Sequence, residues 1–426
     1  MTVLARIGDQ GCGCDEPEQL AALISIDEAL ARIARHAVPV VGTEVLLISR
    51  AVGRILAEPV RATAMTPAFD NSAMDGYAVD TSAFAGDGPW TFPVISRVPA
   101  GAAATTPVGE NGVARILTGA PVPEGADAVI RQEDASRSGD LAIFSKRPAS
   151  GSNIRRAGSD MQPDQIVIEA GARLGSREIA ACAAAGACRV HVHRTLRAGL
   201  LVTGNEVRPA GAGRGGAEIW DVNTPMLCAA LASRNIDLVH VGQVADDRTA
   251  LEDNLAKLVG RVDLLVTTGG VSVGEEDHVK PALCALGGEV QFSGVAIKPG
   301  KPVSFGRIGS SHWLGLPGNP LAAFVTWKLF GTALVCLLTG QSNHYALRRH
   351  VVTAAAIHRK PGRCEFRPAS VIRLDDKSRE VVTFEYATHS GRVGRLATSD
   401  GLIVLPADSD HLPAGTLVEF LSFRDD

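Results

Sequence analysis

At 426 residues the chain exceeds one ordinary domain, and about two to four are expected. Hydrophobic residues make up 46% and charged residues 21%, a soluble globular composition, while only 4% aromatic content argues against an aromatic-rich binding surface. A formal net charge of −4 gives no electrostatic case for nucleic acid. No apolar run is read as reaching the about 18 residues of a membrane span, so no membrane partner is expected. The first residues lack the apolar core of a secretory signal. The eight cysteines are scattered, four of them within apolar runs (Cys182, Cys228, Cys284, Cys336), which reads as buried free thiols in a reducing cytoplasm. Cys12 and Cys14 form a C-x-C in a polar tail with no second ligand pair to make a metal site.

Residues 1–24 read as a flexible tail. A helix starts after Ser25: Ser25 and Glu28 have capping-box spacing, and Ile26, Leu30 and Ile33 share a face. A second helix-like stretch is expected around 46–56. From 62 to 164, Pro and Gly recur every few residues among short apolar runs at 77–79, 91–95, 113–117, 128–131 and 141–144, which predicts a β-rich domain. The segment 165–195 returns to a helical pattern followed by 189–193, and is expected to pack with 25–61 as a discontinuous helical and extended domain.

Between 196 and 343 the pattern alternates. Strand-like runs at 198–203, 236–244, 263–268, 289–297 and 302–307 are separated by helix-like runs at 224–234, 248–259, 277–286 and 320–338. That spacing predicts a mostly parallel sheet between helical layers, with ligands bound beyond the carboxyl ends of its strands. The remainder, 344–426, is strand-like and predicts a small β-barrel or sandwich. The fold class expected is therefore multidomain α/β plus β: a central three-layer α/β domain, a β-rich inserted domain, a helical and extended linker domain and a C-terminal small β-barrel.

The chemistry concentrates in Asp263-Leu-Leu-Val-Thr-Thr-Gly-Gly-Val-Ser-Val-Gly-Glu-Glu-Asp-His278. A buried strand breaks into a Gly, Ser and Thr loop whose backbone N–H groups can hold an oxyanion, then ends in three adjacent carboxylates, Glu275 to Asp277. A metal-bridged phosphate needs both features. Glu206 and the pair Asp246 and Asp247 follow two other strands, so a parallel sheet would bring all three loops to one edge. Taken singly, each acid is better explained as a helix cap, and only three on one edge beside a Gly-rich loop shift the balance. Lys298-Pro-Gly-Lys301-Pro302 holds two ammoniums on a restricted turn that suits an oxyanion and equally an ordinary solvated turn, and Leu316-Pro-Gly-Asn-Pro320 presents backbone at the start of a long helix. In the β-rich region, 69–77, 115–123 and 153–160 are polar turns. His191 and His193 share a strand face without a third ligand, which reads as surface or satisfied histidine.

Together, the segments 69–77, 115–127, 153–160, 203–206, 263–277, 296–302 and 316–320 resemble, in order and approximate spacing, the molybdopterin molybdenumtransferase family, the MoeA proteins and the E domain of gephyrin. The resemblance runs from about residue 25 to 426. It implies insertion of molybdate into adenylyl-molybdopterin with Mg²⁺-dependent release of AMP, giving Mo-molybdopterin. It assigns Asp75, Thr118, Asp160, Glu206, Asp246 and Asp277 to catalysis, with Glu206, Asp246 and Asp277 as Mg²⁺ ligands; Asp246 matches better than Asp247. Gly269, Gly270, Ser272, Gly274, Lys298, Lys301, Pro317, Gly318, Pro320, Arg363 and Ser390 are implied to bind the pterin and the oxyanion.

The family also implies a homodimer whose site is shared between subunits, and transient contacts with the adenylyltransferase and recipient molybdoenzymes. Three departures stand out. Gly294 occupies a position, four before Lys298, where many members carry a basic residue. Leu321 stands where Ser is common, and 388–392 matches only loosely. The α/β region also resembles the related molybdopterin adenylyltransferases, and a non-catalytic molybdopterin-binding scaffold is a further alternative.

Overall fold

The computed structural model describes residues 23–40, 42–271, 277–342, 349–385 and 389–423. The tail carrying Cys12 and Cys14 therefore lies outside the described residues.

The central unit is a six-stranded sheet. Its strands run in the spatial order Ile236–Val244, Leu196–Thr203, Leu264–Thr268, Ser311–Leu316, Ser304–Ile308, Glu289–Ser293. The first four are mutually parallel, and Ser304–Ile308 pairs antiparallel with both of its neighbours. Leu264–Thr268 is buried at every position, as a strand covered on both faces must be. One face carries Leu200, Val202, Leu264 and Val266 with helices Asn223–Leu231 and Pro320–Thr326; the other carries Leu201 and Leu265 with Arg248–Leu258 and Val279–Ala285. The mostly parallel three-layer domain expected from alternation is present. The central strand Ser311–Leu316 escaped the sequence reading because it follows its antiparallel partner through a tight turn with no helix between them.

Two sequence expectations fail locally. The stretch expected to be helical around 46–56 contains strand Thr43–Leu47, a short 3-10 turn at Ile48–Arg50 and bridges from Ile55 and Leu56. Long-range pairing with Arg189–His193 overrides the local pattern. Helix Ile26–His36 forms as expected, with Ser25 Oγ accepting from the Glu28 N–H at 3.1 Å. It does not pack with 165–195, however: Ala29 and Ile33 join the α/β core, because their stripe fits against the sheet's apolar helix layer.

The run 320–338 also corrects the membrane reading. It is helical over 19 residues with mean hydropathy 1.9, long and apolar enough by composition to span a bilayer. Here 56% of that stretch is buried, since its apolar side chains (Leu321, Val325, Phe330, Leu334) belong to the α/β core. Cysteine burial is likewise uneven: Cys182 is buried, whereas Cys188 and Cys284 are exposed.

The β-rich region forms its own six-stranded sheet, in the order Ala128–Arg131, Gly76–Val79, Val113–Ile116, Trp90–Val98, Leu141–Phe144, Ala135–Ser138. His191 sits 3.5 Å from Glu58, and burial pushes the His193 imidazole below its ordinary value. At the C-terminus, Cys364–Leu374, Glu380–Phe384, Arg349–Thr353, Leu417–Ser422 and Gly401–Leu405 pair in sequence, and Gly401–Leu405 returns to Cys364–Leu374, closing a small barrel. Ile297–Lys298 adds to this barrel in parallel, with Lys298 opposite Glu365. The Lys-Pro-Gly-Lys turn is thereby pinned between the α/β sheet and the barrel.

Asp263 stabilises the far edge of the α/β sheet, away from the strands' carboxyl ends. Arg194 and Arg197 donate to its carboxylate at 2.8 and 3.0 Å, and the Arg197 N–H donates at 2.8 Å. Burial opposes ionisation, but the hydrogen bonds from Arg194 and Arg197 win and hold the carboxyl far below the usual carboxylate range. A depressed folded pKa gives stability that is present above the unfolded value of about 3.9 and lost as pH falls through the folded one. Asp263→Ala should therefore cost about 2 kcal/mol at pH 7, less than a fully buried pair because the arginines can reach water. The gap between the thermal melts of the two proteins should narrow steadily as pH falls below about 4; an equal difference at pH 7 and pH 2 would count against the ion pair as the cause.

Candidate functional site

All four parallel strands end at one cleft of about 560 Å³. Thr203, Gly204 and Glu206 follow the first strand, and Asp246 follows the second. Gly269, Gly270, Val271 and Asp277 follow the third, and Pro317, Gly318, Asn319 and Pro320 follow the fourth. A crevice beyond the carboxyl ends is where open α/β sheets bind ligands, because the loops there are free of the ladder.

Glu206, Asp246 and Asp277 all line this cleft, although not gathered at metal-ligand spacing. Asp246 accepts from the Asn205 N–H at 2.9 Å, and the Asn205 side chain in turn accepts from the Asp246 N–H at 3.3 Å, tying two strand ends together. Its neighbour Asp247 does something else: it caps helix Arg248–Leu258, accepting from the Ala250 N–H at 2.8 Å. The two adjacent acids thus divide into one facing the cleft and one closing a helix. Asp277 lies close enough to Lys280 to favour its charged form, yet burial dominates and lowers the Lys280 pKa. Sequence reading passed over Lys280, which also donates to Ser293 Oγ at 3.2 Å.

Gly269 is required where it stands. Its φ is +91°, and a Cβ there would lie 2.5 Å from Thr203 Oγ1 and 2.8 Å from the Thr203 carbonyl oxygen. Only a bare backbone lets the third strand's loop approach the first. Asn223, at the start of its helix, bridges the other side: its Nδ2 donates to Thr268 Oγ1 at 2.9 Å and to the Gly318 carbonyl at 2.7 Å. Asn223, Thr203 and Trp220 line the cleft but were not singled out from the sequence. Asn223 opens a helix after a strand and therefore resembles an ordinary cap, so no local signal marks it. Ser272 and Gly274, with Glu275 and Glu276, lie outside the described residues.

The remaining predicted residues lie apart from the cleft walls, with one exception at its rim. Pro302, the last residue of the Lys298–Pro302 turn, lines the cleft, so Lys301 is adjacent to it in the chain. Arg363 reaches the Ile297 carbonyl at 3.5 Å, beside that turn. Ser390 approaches from the barrel side, its carbonyl accepting from the Leu321 N–H at 2.9 Å. Gly294 adopts φ +99°, and a Cβ there would meet Leu23 at 2.8 Å. The basic residue common at this position in the family would be strained here, which accounts physically for the glycine. Leu321, in place of serine, is 2% exposed and belongs to the core.

In the β-rich region Asp75 accepts from Thr118 twice, from its N–H and its Oγ1, both at 2.7 Å. The Thr118 backbone donor, then its hydroxyl, hold the Asp75 carboxyl below its ordinary value. Asp160 is exposed, its N–H donating to the Thr66 carbonyl at 3.0 Å. Neither these two acids nor Thr118 lines the α/β cleft.

Three family models match in chain order. "MoeA N-terminal region (domain I and II)" covers residues 24–186, "Probable molybdopterin binding domain" covers 199–335, and "MoeA C-terminal region (domain IV)" covers 350–423. A molybdopterin molybdenumtransferase of Haemophilus influenzae is 32% identical over 405 residues, 94% of this chain and 99% of that protein. The chain belongs to the molybdopterin molybdenumtransferase family, the MoeA proteins. A second family member, from Bacillus subtilis, is 29% identical over 95% of each chain. The crystal structure of a molybdopterin biosynthesis MoeA protein from Pyrococcus horikoshii superposes with a TM-score of 0.81 at 27% identity, covering 94% of this chain and 100% of that one. The family fold, an α/β unit with a closed C-terminal barrel and a β-rich insertion, is the one described above.

Among the described residues no three Asp, Glu, His or Cys side chains are gathered at metal-ligand spacing. The described residues therefore build no closed cage for a cation. The donor set instead suits Mg²⁺, which keeps water and takes one or two carboxylates together with substrate phosphates. Glu206, Asp246 and Asp277 place carboxylate oxygens along the cleft.

Proposed function

We propose that this protein inserts molybdenum from molybdate into adenylyl-molybdopterin, releasing AMP and leaving Mo-molybdopterin. The observation that carries the reading is the arrival of Glu206, Asp246 and Asp277 from three different strands at one cleft, in a chain of this family. One or two of the carboxylates Glu206, Asp246 and Asp277, together with substrate phosphate oxygens, would hold Mg²⁺, which when bound would offset negative charge on the pyrophosphate. Lys298 and Lys301, held between sheet and barrel, supply compact positive charge for an oxyanion, phosphate or molybdate. The Gly269–Gly270 and Pro317–Gly318 turns admit the phosphate close to the backbone, since neither turn raises a bulky side chain there.

Asp75, Thr118 and Asp160 form a second constellation on a different domain. Exposed apolar side chains lie near it in sequence: Phe69, Met65 and Met74 are 48%, 40% and 44% exposed. An exposed apolar group beside ordered acids suits a face that meets another surface. We take that surface to be the second subunit of a homodimer, which would bring these residues to the partner's cleft. Transient docking of the adenylyltransferase and of recipient molybdoenzymes would deliver substrate and collect product.

The test is direct. Purified protein incubated with adenylyl-molybdopterin should release AMP only when molybdate and Mg²⁺ are both present. Pyrophosphate release from ATP and molybdopterin would instead mark an adenylyltransferase, and tight binding without turnover would mark a scaffold.

A further inference from the structure

Among the described residues, the cleft holds two buried polar atoms without a hydrogen-bond partner. Thr203 is 5% exposed, and its Oγ1 has no hydrogen-bond partner. Asn223 is 7% exposed; its Nδ2 makes the two bonds already described, but its Oδ1 accepts none. Buried polar groups are nearly always paired, so two orphans lining one cleft point to a ligand that completes them.

Chemistry restricts that ligand. Because Nδ2 is committed to Thr268 and Gly318, the amide cannot turn over, and Asn223 offers the cleft an acceptor only. Oxygen atoms of phosphate or molybdate are acceptors too, so an oxyanion does not satisfy it. An N–H or O–H donor does. The Thr203 hydroxyl can donate or accept. The cleft is also lined by Trp220, 49% exposed, with the Arg214 guanidinium 4.6 Å from its ring centroid. A broad aromatic surface beside a donor-seeking pair suits a flat heterocycle carrying ring N–H or amino groups.

We propose that Thr203, Asn223 and Trp220 form the heterocycle-recognition part of the cleft. The N–H-bearing edge of a pterin or purine ring hydrogen-bonds Asn223 Oδ1 and Thr203 Oγ1, and its face stacks on Trp220. This rests on the substrate reading above, which contains both rings, and it separates ring recognition from the lysine turn that takes the oxyanion. It also gives Asn223 two roles through its two amide atoms: Nδ2 holds the strand ends in place, and Oδ1 reads the ligand.

Tryptophan emission tests it. Trp313 and Trp327 are 0% and 3% exposed, and Trp90 lies in the β-rich domain, so a ligand in this cleft should report through Trp220. The full-length protein would be titrated separately with AMP, with 6-hydroxymethylpterin and with inorganic phosphate. Saturable quenching is expected from at least one ring compound, and the one that binds identifies the ring. Trp220→Phe should abolish the signal. Thr203→Val should weaken ring binding about tenfold, the worth of one hydrogen bond, while leaving phosphate affinity unchanged. The same variant should not lower the melting temperature of the free protein, since the hydroxyl removed has no partner there.

Failure of wild-type protein to bind either ring would count against the substrate reading itself. Quenching by a ring compound that survives Trp220→Phe, or ring affinity unchanged by Thr203→Val, would overturn the pocket alone. A drop in phosphate affinity equal to the drop in ring affinity would also overturn it, because Thr203 would then serve the anion.

Discussion

Asp277→Ala is expected to reduce molybdate-dependent AMP release by at least about a hundredfold, the scale on which loss of one preorganised charge-stabilising group acts. Asp277 follows the third parallel strand and lines the cleft with Glu206 and Asp246. Losing it would leave two carboxylates for a cation that must also hold phosphate oxygens. Asp277→Asn keeps the shape and removes the charge, so it separates electrostatics from packing. Raising Mg²⁺ should restore part of the activity of the asparagine variant, because a weakened ion site refills by mass action. Full activity of either variant at ordinary Mg²⁺ would remove Asp277 from the mechanism. The comparison should be made at constant ionic strength, since Lys280 lies beside Asp277 and its burial lowers its pKa.

The largest stability effect is expected inside the C-terminal barrel. Glu365 is 2% exposed and lies between two arginines: Arg359 Nε donates at 3.1 Å and Arg367 Nε at 3.0 Å, with both arginine side chains at most 4% exposed. Arg359 also donates to the carbonyls of Pro406, Ser409 and Arg363. Glu365→Gln strips the negative charge from two buried guanidiniums and should cost about 3–5 kcal/mol. Glu365 also pairs in register with Lys298, so the loss should spread to the lysine turn and weaken oxyanion binding. Thermal unfolding would show an early transition belonging to the barrel. Replacing Arg359, Glu365 and Arg367 together by apolar residues of similar volume should recover much of the stability, because desolvation of the charges disappears with them. An unchanged melting profile for Glu365→Gln would mean that the two guanidiniums find other partners.

How much of this was legible in the sequence varies by element. The alternation between 196 and 338 is a period signal, and parallel strands buried on both faces leave it as unbroken apolar runs such as Leu264–Thr268. Ser25 with Glu28, and Asp247 before its helix, are local signals acting within three residues, and the side chains make those bonds. The stretch 46–56 was misread because its partner, Arg189–His193, lies far along the chain, and pairing at that distance leaves no periodicity behind.

The site divides in the same way. The sequence by itself determined the acids, the glycine and proline turns and the lysine pair, because each is a short motif whose residue types carry their own chemistry. Gly269 and Gly294 could be read as turns, but only the backbone shows why no side chain fits at either position. The tertiary structure alone decided that Glu206, Asp246 and Asp277 share one cleft while Asp75, Thr118 and Asp160 stand on another domain. It alone also revealed Thr203 Oγ1 and Asn223 Oδ1 as buried atoms without partners among the described residues. The physical reason is that a residue's chemistry is local, whereas burial and hydrogen-bond satisfaction depend on what distant segments bring to it, and a one-dimensional pattern does not encode that count.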